Sequence, residues 1–324
     1  MVRMVKVFLA LALLAMACAP ATAQQARKAK IGFLSWFAPA LGVHLDYLRE
    51  GLREFGYVEG NNIEIEAYFT GGNRERTQEL TRMLVQKGVD ILVVLPTPAI
   101  HIAKEATQTI PIVMAPVSDP IATGLVQSLS HPGGNLTGIT SFSPDLGGKR
   151  VEILREIRPG IRSIAFLGSA KDANTKTFVR ETQVAADKIG LKLLVRLVDG
   201  PDAIDQAVFD DMKRAGVEAV VVQPIFTGSQ NKIGPLAKKS QLPIVSAYPV
   251  FAEAGALITY GTTDDGPMRR TAYYVDRILK GAKPADLPIE QPTTYHLVVN
   301  VLTAKALGWT IPESLLFRAD RVIE

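Results

Sequence analysis

Small hydroxyl residues recur where the apolar runs of this chain end. Ser35 follows 30–34, Thr97 follows 90–95, Ser118 follows 111–115 and Ser141 follows 136–140. Hydroxyls beside free backbone N–H groups suit the binding of a carboxylate. Aromatic residues recur at the same kind of position, as Trp36, Phe142, Phe226 and Tyr248. Aromatics are only 7% of the chain, so their gathering at strand ends points to a slot for a flat apolar group. Asp119 offers a partner for an ammonium group, where a charge-assisted hydrogen bond is worth about 1.5–3 kcal/mol. It also heads a new segment, and aspartate is a favoured N-cap, so both readings of Asp119 stand. Ser169 and Gln223 fall at two further strand ends, and Tyr260 on a later strand.

Signatures of covalent chemistry are missing. The sequence contains no G-x-G-x-x-G, no G-x-x-x-x-G-K-[ST] and no G-x-S-x-G. Its histidines, His44, His101, His131 and His296, never pair at i+3 or i+4 and have no local carboxylate cluster, so each reads as a surface or helix-face residue. The expectation is a binding site without catalytic residue, metal or cofactor.

The elements that position these residues alternate. Strands are expected at 30–35, 62–68, 90–95, 111–115 and 136–140, with helices at 45–55, 74–87 and 98–107. The run Asp90-Ile91-Leu92-Val93-Val94-Leu95 is apolar throughout, as a strand covered on both faces requires. The pattern restarts with helices at 148–157, 175–189, 203–215 and 229–239 between strands at 163–168, 191–198, 219–223 and 242–246. A strand at 257–260, a helix at 267–279, an extended start at 289 and a helix at 301–307 follow. Such βα repetition gives an α/β fold with two Rossmann-like lobes joined by crossing strands. In open parallel sheets ligands bind beyond the carboxyl ends of the strands, where the candidate residues fall. The segments His131-Pro132-Gly133-Gly134-Asn135 and Gly56–Gly60 read as turn chemistry, and 315–324 as packing with a solvated acidic tip.

The first residues read as an export signal. Arg3 and Lys6 precede an apolar run over 7–17, and Ala21-Thr22-Ala23 supplies small residues for cleavage after Ala23. Eleven apolar residues are too few to span a bilayer, where about 20 are needed. A lipoprotein signal would place a leucine-like residue three before Cys18, where Ala15 stands, so a soluble product is expected over a lipid-anchored one. Cleavage would remove the only cysteine and with it any disulfide or thiol chemistry. It would also lower the formal charge from +4 to +2, with acidic and basic residues interspersed and no nucleic-acid patch.

Four long phrases carry a resemblance over the whole mature chain. They are LREGLREFGYVEGNNIEIE (48–66), IPIVMAPVSDPIATGLVQSLSHPGGNLTGIT (110–140), ILKGAKPADLPIEQPTTYHLVVN (278–300) and AKALGWTIPESLLFRADRVIE (304–324). In these the chain resembles the ABC-transporter substrate-binding family of tryptophan/tyrosine type. The resemblance implies a type I periplasmic-binding-protein architecture, a small-molecule solute in an interlobe cleft, and an inner-membrane permease with its ATPase as partner. A monomer in the periplasm is expected, with lobe 1 formed by 24–142 plus about 259–290 and lobe 2 by 143–258 plus about 291–324. An aromatic amino acid-like solute is the leading expectation. A sugar is the runner-up, disfavoured because no arginine follows the strand ends named above. A regulator's effector domain would need a DNA-binding helix pair before residue 30, and an exported hydrolase would need a nucleophile among Ser35, Ser118 and Ser141.

Overall fold

A computed structural model describes residues 27–39, 42–141, 145–263 and 265–324. The expected export signal, Cys18 and Phe142 lie outside these residues.

The first half builds a five-stranded parallel sheet in the order β2-β1-β3-β4-β5. Its strands are β1 (Ala29–Ser35), β2 (Ile63–Phe69), β3 (Ile91–Leu95), β4 (Ile112–Val117) and β5 (Leu136–Thr140). Every residue of β3 and β5 is buried, while in the edge strand β2 only Ile63 is fully buried and most of the rest are half-buried. That is the burial expected when helices cover both faces of the inner strands. On one face lie α2 (Arg74–Gln86) and α3 (Thr97–Ala106), which pack Leu80, Leu84, Ile100 and Ala103 on Leu92 and Val94. On the other lies α1 (Val43–Glu54), whose buried Leu45, Leu48 and Leu52 follow the helical repeat.

The second half builds a seven-stranded sheet in the order β12-β11-β10-β9-β8-β6-β7. Its strands are β6 (Ser163–Ser169), β7 (Lys192–Val198), β8 (Ala219–Val222), β9 (Ile244–Ser246), β10 (Ile258–Gly261), β11 (His296–Asn300) and β12 (Arg321–Ile323). Only the β10–β11 pair is antiparallel. The helices α4 (Asp145–Ile157) and α5 (Thr175–Lys188) cover one face. The helices α6 (Gln206–Arg214), α7 (Gln230–Lys239) and α8 (Val250–Glu253) cover the other through Phe209, Ile233 and Phe251.

After β10 the chain returns to the first sheet as α9 (Asp265–Leu279). There it sets Met268, Ala272 and Val275 into the core of α1. Gly51 permits this approach, because a Cβ there would lie 2.5 Å from the Arg269 carbonyl oxygen. The chain then crosses back, with Glu290 N donating to Gly138 O and Thr140 N donating to Glu290 O. Arg270 fixes that crossing by pairing both oxygens of the Glu290 carboxylate, Nε to Oε2 at 2.8 Å and Nη2 to Oε1 at 2.6 Å.

Two expectations change. The division near 259 would cut β10, which belongs whole to the second sheet, so the return begins after Gly261. The last ten residues are more than packing and a solvated tip. After α10 (Val301–Ala306), they hold most of α11 (Glu313–Arg318), with Leu315 fully buried, and then β12 pairs in parallel with β11. The run 315–324 is short and mixed in polarity, so periodicity carried no strand signal.

Candidate functional site

The carboxyl ends of the two sheets face a shared space. The first sheet contributes the turn after β1, the start of α3 and the ends of β4 and β5. The second contributes the loops after β6, β8 and β9. Between them lies a cavity enclosing about 560 Å³ of atom-free space, part of it open to solvent.

Its walls are mixed. Phe37, His44, Pro96, Pro98, Ile225 and Tyr248 give flat or apolar surface. The Phe37 and His44 rings lie 5.9 Å apart at 47°. Thr97, Ser118 and Ser141 add hydroxyls from the first sheet, and Asp172, Asn174 and Thr227 add polar groups from the second. The rim of the first sheet is held by Thr140, whose hydroxyl lies 2.9 Å from Val117 O and 2.6 Å from Ser118 O.

A buried network shapes the second wall. Gln223 is fully buried; its Oε1 accepts from Ser169 N at 2.8 Å and Thr175 Oγ1 at 3.1 Å. This fixes the amide, so Nε2 donates to Asp172 Oδ2 at 2.7 Å. Gly168 leaves room for it, since a Cβ there would lie 2.7 Å from Gln223 Oε1. Asp172 Oδ1 accepts from Asn174 N at 3.1 Å and Nδ2 at 3.2 Å. Burial pushes the Asp172 carboxyl up, against the two Asn174 donors that favour its charged form. A carboxyl raised in the folded state holds its proton more tightly than in the unfolded chain. Its stabilising contribution is therefore full below the ordinary carboxylate range and is lost as pH rises through the raised value.

The network does not stop at the second sheet. Asn174 Nδ2 donates to Thr97 Oγ1 at 3.0 Å, and Asn174 Oδ1 accepts from Asp119 N at 3.2 Å. Both contacts join the loop before α5 to the first half, and Asn174 is 1% exposed. The space is thus closed over by direct bonds between the two halves.

Replacing Gln223 with leucine keeps the volume but strips partners from Ser169 N and Asp172 Oδ2, while Thr175 Oγ1 keeps Ser169 O at 2.6 Å. Leaving buried polar groups unpaired costs about 1–3 kcal/mol each, partly relieved by relaxation, so a loss of about 2 kcal/mol is expected. Urea unfolding measures it, and an unchanged midpoint would show that the amide is not structural.

Of the residues expected from sequence, Thr97, Ser118, Ser141 and Tyr248 line the cavity. Trp36, Ser169 and Phe226 line a wider outer space that shares Phe37, Pro98 and Asp172 with it. Phe226 is 1% exposed and belongs mainly to the core beneath the second sheet. Ser35 is fully buried, and its hydroxyl accepts from Phe37 N at 3.2 Å, bracing the turn. Asp119 caps the following segment, its Oδ1 accepting from Ile121 N and Ala122 N, and meets the other half through its backbone amide. Gln223 supports the wall from behind, and Tyr260 packs against Tyr295 at 6.2 Å, in a groove outside the cavity. Phe37, His44, Asp172 and Asn174 were not singled out. His44, read as a surface or helix-face residue, is buried on α1 and faces the cavity. Among the described residues no group of three or more His, Cys, Asp or Glu could hold a metal. None of the described helices is long and apolar enough to cross a membrane.

Comparison with known proteins gives consistent matches. A family model described as ABC transporter substrate binding protein matches residues 36–323. A tyrosine-binding protein of Clostridioides difficile is 25% identical over 268 residues, covering 81% of this chain and 77% of that protein. A crystal structure of an ABC domain from Streptococcus pneumoniae in complex with L-Trp is 31% identical, with a TM-score of 0.86 over 91% of this chain and 100% of that one. A conserved domain protein from Vibrio cholerae is 29% identical, with the same TM-score and the same coverage.

Proposed function

The chain belongs to the ABC transporter substrate-binding protein family, and from that premise we propose that it is the exported capture component of an importer for an aromatic amino acid-like solute. The observation that carries this reading is the closed space between the sheets, walled by Phe37, His44 and Tyr248 and edged by the Thr97, Ser118 and Ser141 hydroxyls. An aromatic ring stacked among such side chains gains about 0.5–1.5 kcal/mol beyond its burial. The relatives that bind tyrosine and L-Trp support the same class.

In this reading the chain makes and breaks no bond. The solute enters an open cleft and meets one half first. Contacts from the other half exist only on closure, so they supply the differential affinity that shifts the population to the closed form. A permease then recognises that form, with its ATPase driving uptake. The monomer works in the periplasm after losing residues 1–23.

A thermal-shift panel of aromatic amino acids, other amino acids, aryl carboxylates and sugars tests the proposal. A solute at 100 times its Kd stabilises the folded state by about 2.7 kcal/mol. For a chain of this size that is a rise in Tm of about 4 °C. Stabilisation by L-tryptophan or L-tyrosine is expected. Stabilisation by sugars alone would favour the second reading, to which the polar Asp172 and Asn174 in the wall lend weight.

A further inference from the structure

Beside the central cavity lies a smaller chamber, part of it open to solvent, which shares Ser118, Ser141, Pro224 and Tyr248 with it. Its chemistry differs, because Arg150 and Glu181 line it. Arg150 lies on the second turn of α4 and is only 6% exposed. Its Nε donates to Tyr260 O at 2.8 Å, which fixes the plane of the guanidinium. Among the described residues no carboxylate comes within ion-pair distance of it. Burial pushes Arg150 down to about 10, with Tyr248 and Glu181 opposing the shift, so the group still carries its charge at neutral pH.

A buried guanidinium without a close counter-charge costs several kcal/mol. Proteins keep such a group where a ligand completes it, and a planar fork of donors matches a carboxylate in two parallel hydrogen bonds. Glu181 on the same wall disfavours a second negative charge, so a singly charged carboxylate fits better than a phosphate dianion.

We propose that Arg150 anchors the carboxylate of the solute in this side chamber, while the flat apolar part of the solute fills the central cavity. The inference rests on the interlobe space being the solute site, and it divides that site into an anionic end and an aromatic end. It also gives the hydroxyls of Ser118 and Ser141, on the boundary of both chambers, the place between the two ends.

Calorimetric titration of L-tryptophan and L-tryptophanamide into the wild type and Arg150→Met tests the anchor. Truncating one partner of a buried charge pair typically weakens binding about 100-fold. The variant is therefore expected to lose about that factor for the acid and to change less than about threefold for the amide. An acid-to-amide preference equal in both proteins would overturn the proposal. Arg150→Lys keeps the charge without the fork. It should fall about 10-fold for the acid, so the test survives if the methionine variant fails to fold. If the wild type binds no aromatic amino acid, the two readings separate in a Tm panel of carboxylates and their matched amides. Stabilisation by any carboxylate that disappears in the Arg150 variants upholds the anchor and rejects the aromatic amino acid. Stabilisation only by neutral solutes or by inorganic phosphate, or by nothing in the panel, rejects the anchor.

Discussion

Replacing Asn174 with alanine is expected to weaken solute binding by about 30- to 100-fold, through two lost bonds of about 1–1.5 kcal/mol each between the halves. The side chain joins Thr97 Oγ1, Asp119 N and Asp172 Oδ1 at once, at 3.0, 3.2 and 3.2 Å, and it is almost wholly buried. Alanine leaves all three without that partner in the closed form. In an open form water reaches Thr97 and Asp119, so the penalty falls on closure. The variant should therefore show a larger radius of gyration than wild type in small-angle scattering at equal solute concentration. Thr97→Val removes only one of the contacts and should cost about 5-fold. Because the two residues share a bond, the double variant should be less than additive, which separates a latch from two independent solute contacts. Wild-type affinity and radius in Asn174→Ala would mean that the bridge plays no part in closure.

The bridge also marks where sequence reading reaches its limit. Continuous apolar runs such as 91–95 and 219–222 become inner strands because burial on both faces imposes one composition, and that composition is visible in the residues. The rule that sites lie past strand ends then leads to Thr97, Ser118, Ser141 and Tyr248. It stops short after β6, where Ser169 is named but Asp172 and Asn174, farther along the same loop, form the wall. Trp36 and Phe37 are adjacent in the chain. Yet Trp36 lines the outer space and Phe37 also lines the inner one, a difference set by the turn that Ser35 braces. Turn geometry of that kind has no periodicity to betray it. Arg150 was missed for another reason. It projects from a helix that follows a crossing, so the lack of arginine at the strand ends says nothing of the arginine that α4 brings to the site. The helix α9 completes the first half from a distant part of the sequence. Its amphipathic pattern was legible, but its packing against α1 through Gly51 depends on a close backbone approach that composition does not record.

Gly138→Ala should cost about 4 kcal/mol, taking about 1–3 for backbone strain and about 1–3 for overpacking. Gly138 is on β5 opposite Met114, with φ +136°, a conformation that side chains with a Cβ rarely adopt. A Cβ there would overlap the Met114 carbonyl oxygen and come within 2.7 Å of its amide nitrogen. Neither atom can yield easily, since both belong to the neighbouring strand. Register between β4 and β5 shifts between Met114 and Val117, so the pair has already absorbed one irregularity. The same glycine accepts a bond from Glu290 N, which ties in the crossing segment. A drop in Tm of about 6 °C follows from this cost for a chain of this size. Gly134→Ala is the control. Its φ of +63° carries strain of about 1–2 kcal/mol, but nothing lies within 4 Å of the added methyl. The two variants therefore share a positive φ and differ in space. If both lowered Tm equally, backbone conformation alone would account for the loss and the close β4–β5 approach would be irrelevant. A larger loss at Gly138, accompanied by weaker solute binding, would instead show that this approach sets the rim carrying Ser118 and Ser141.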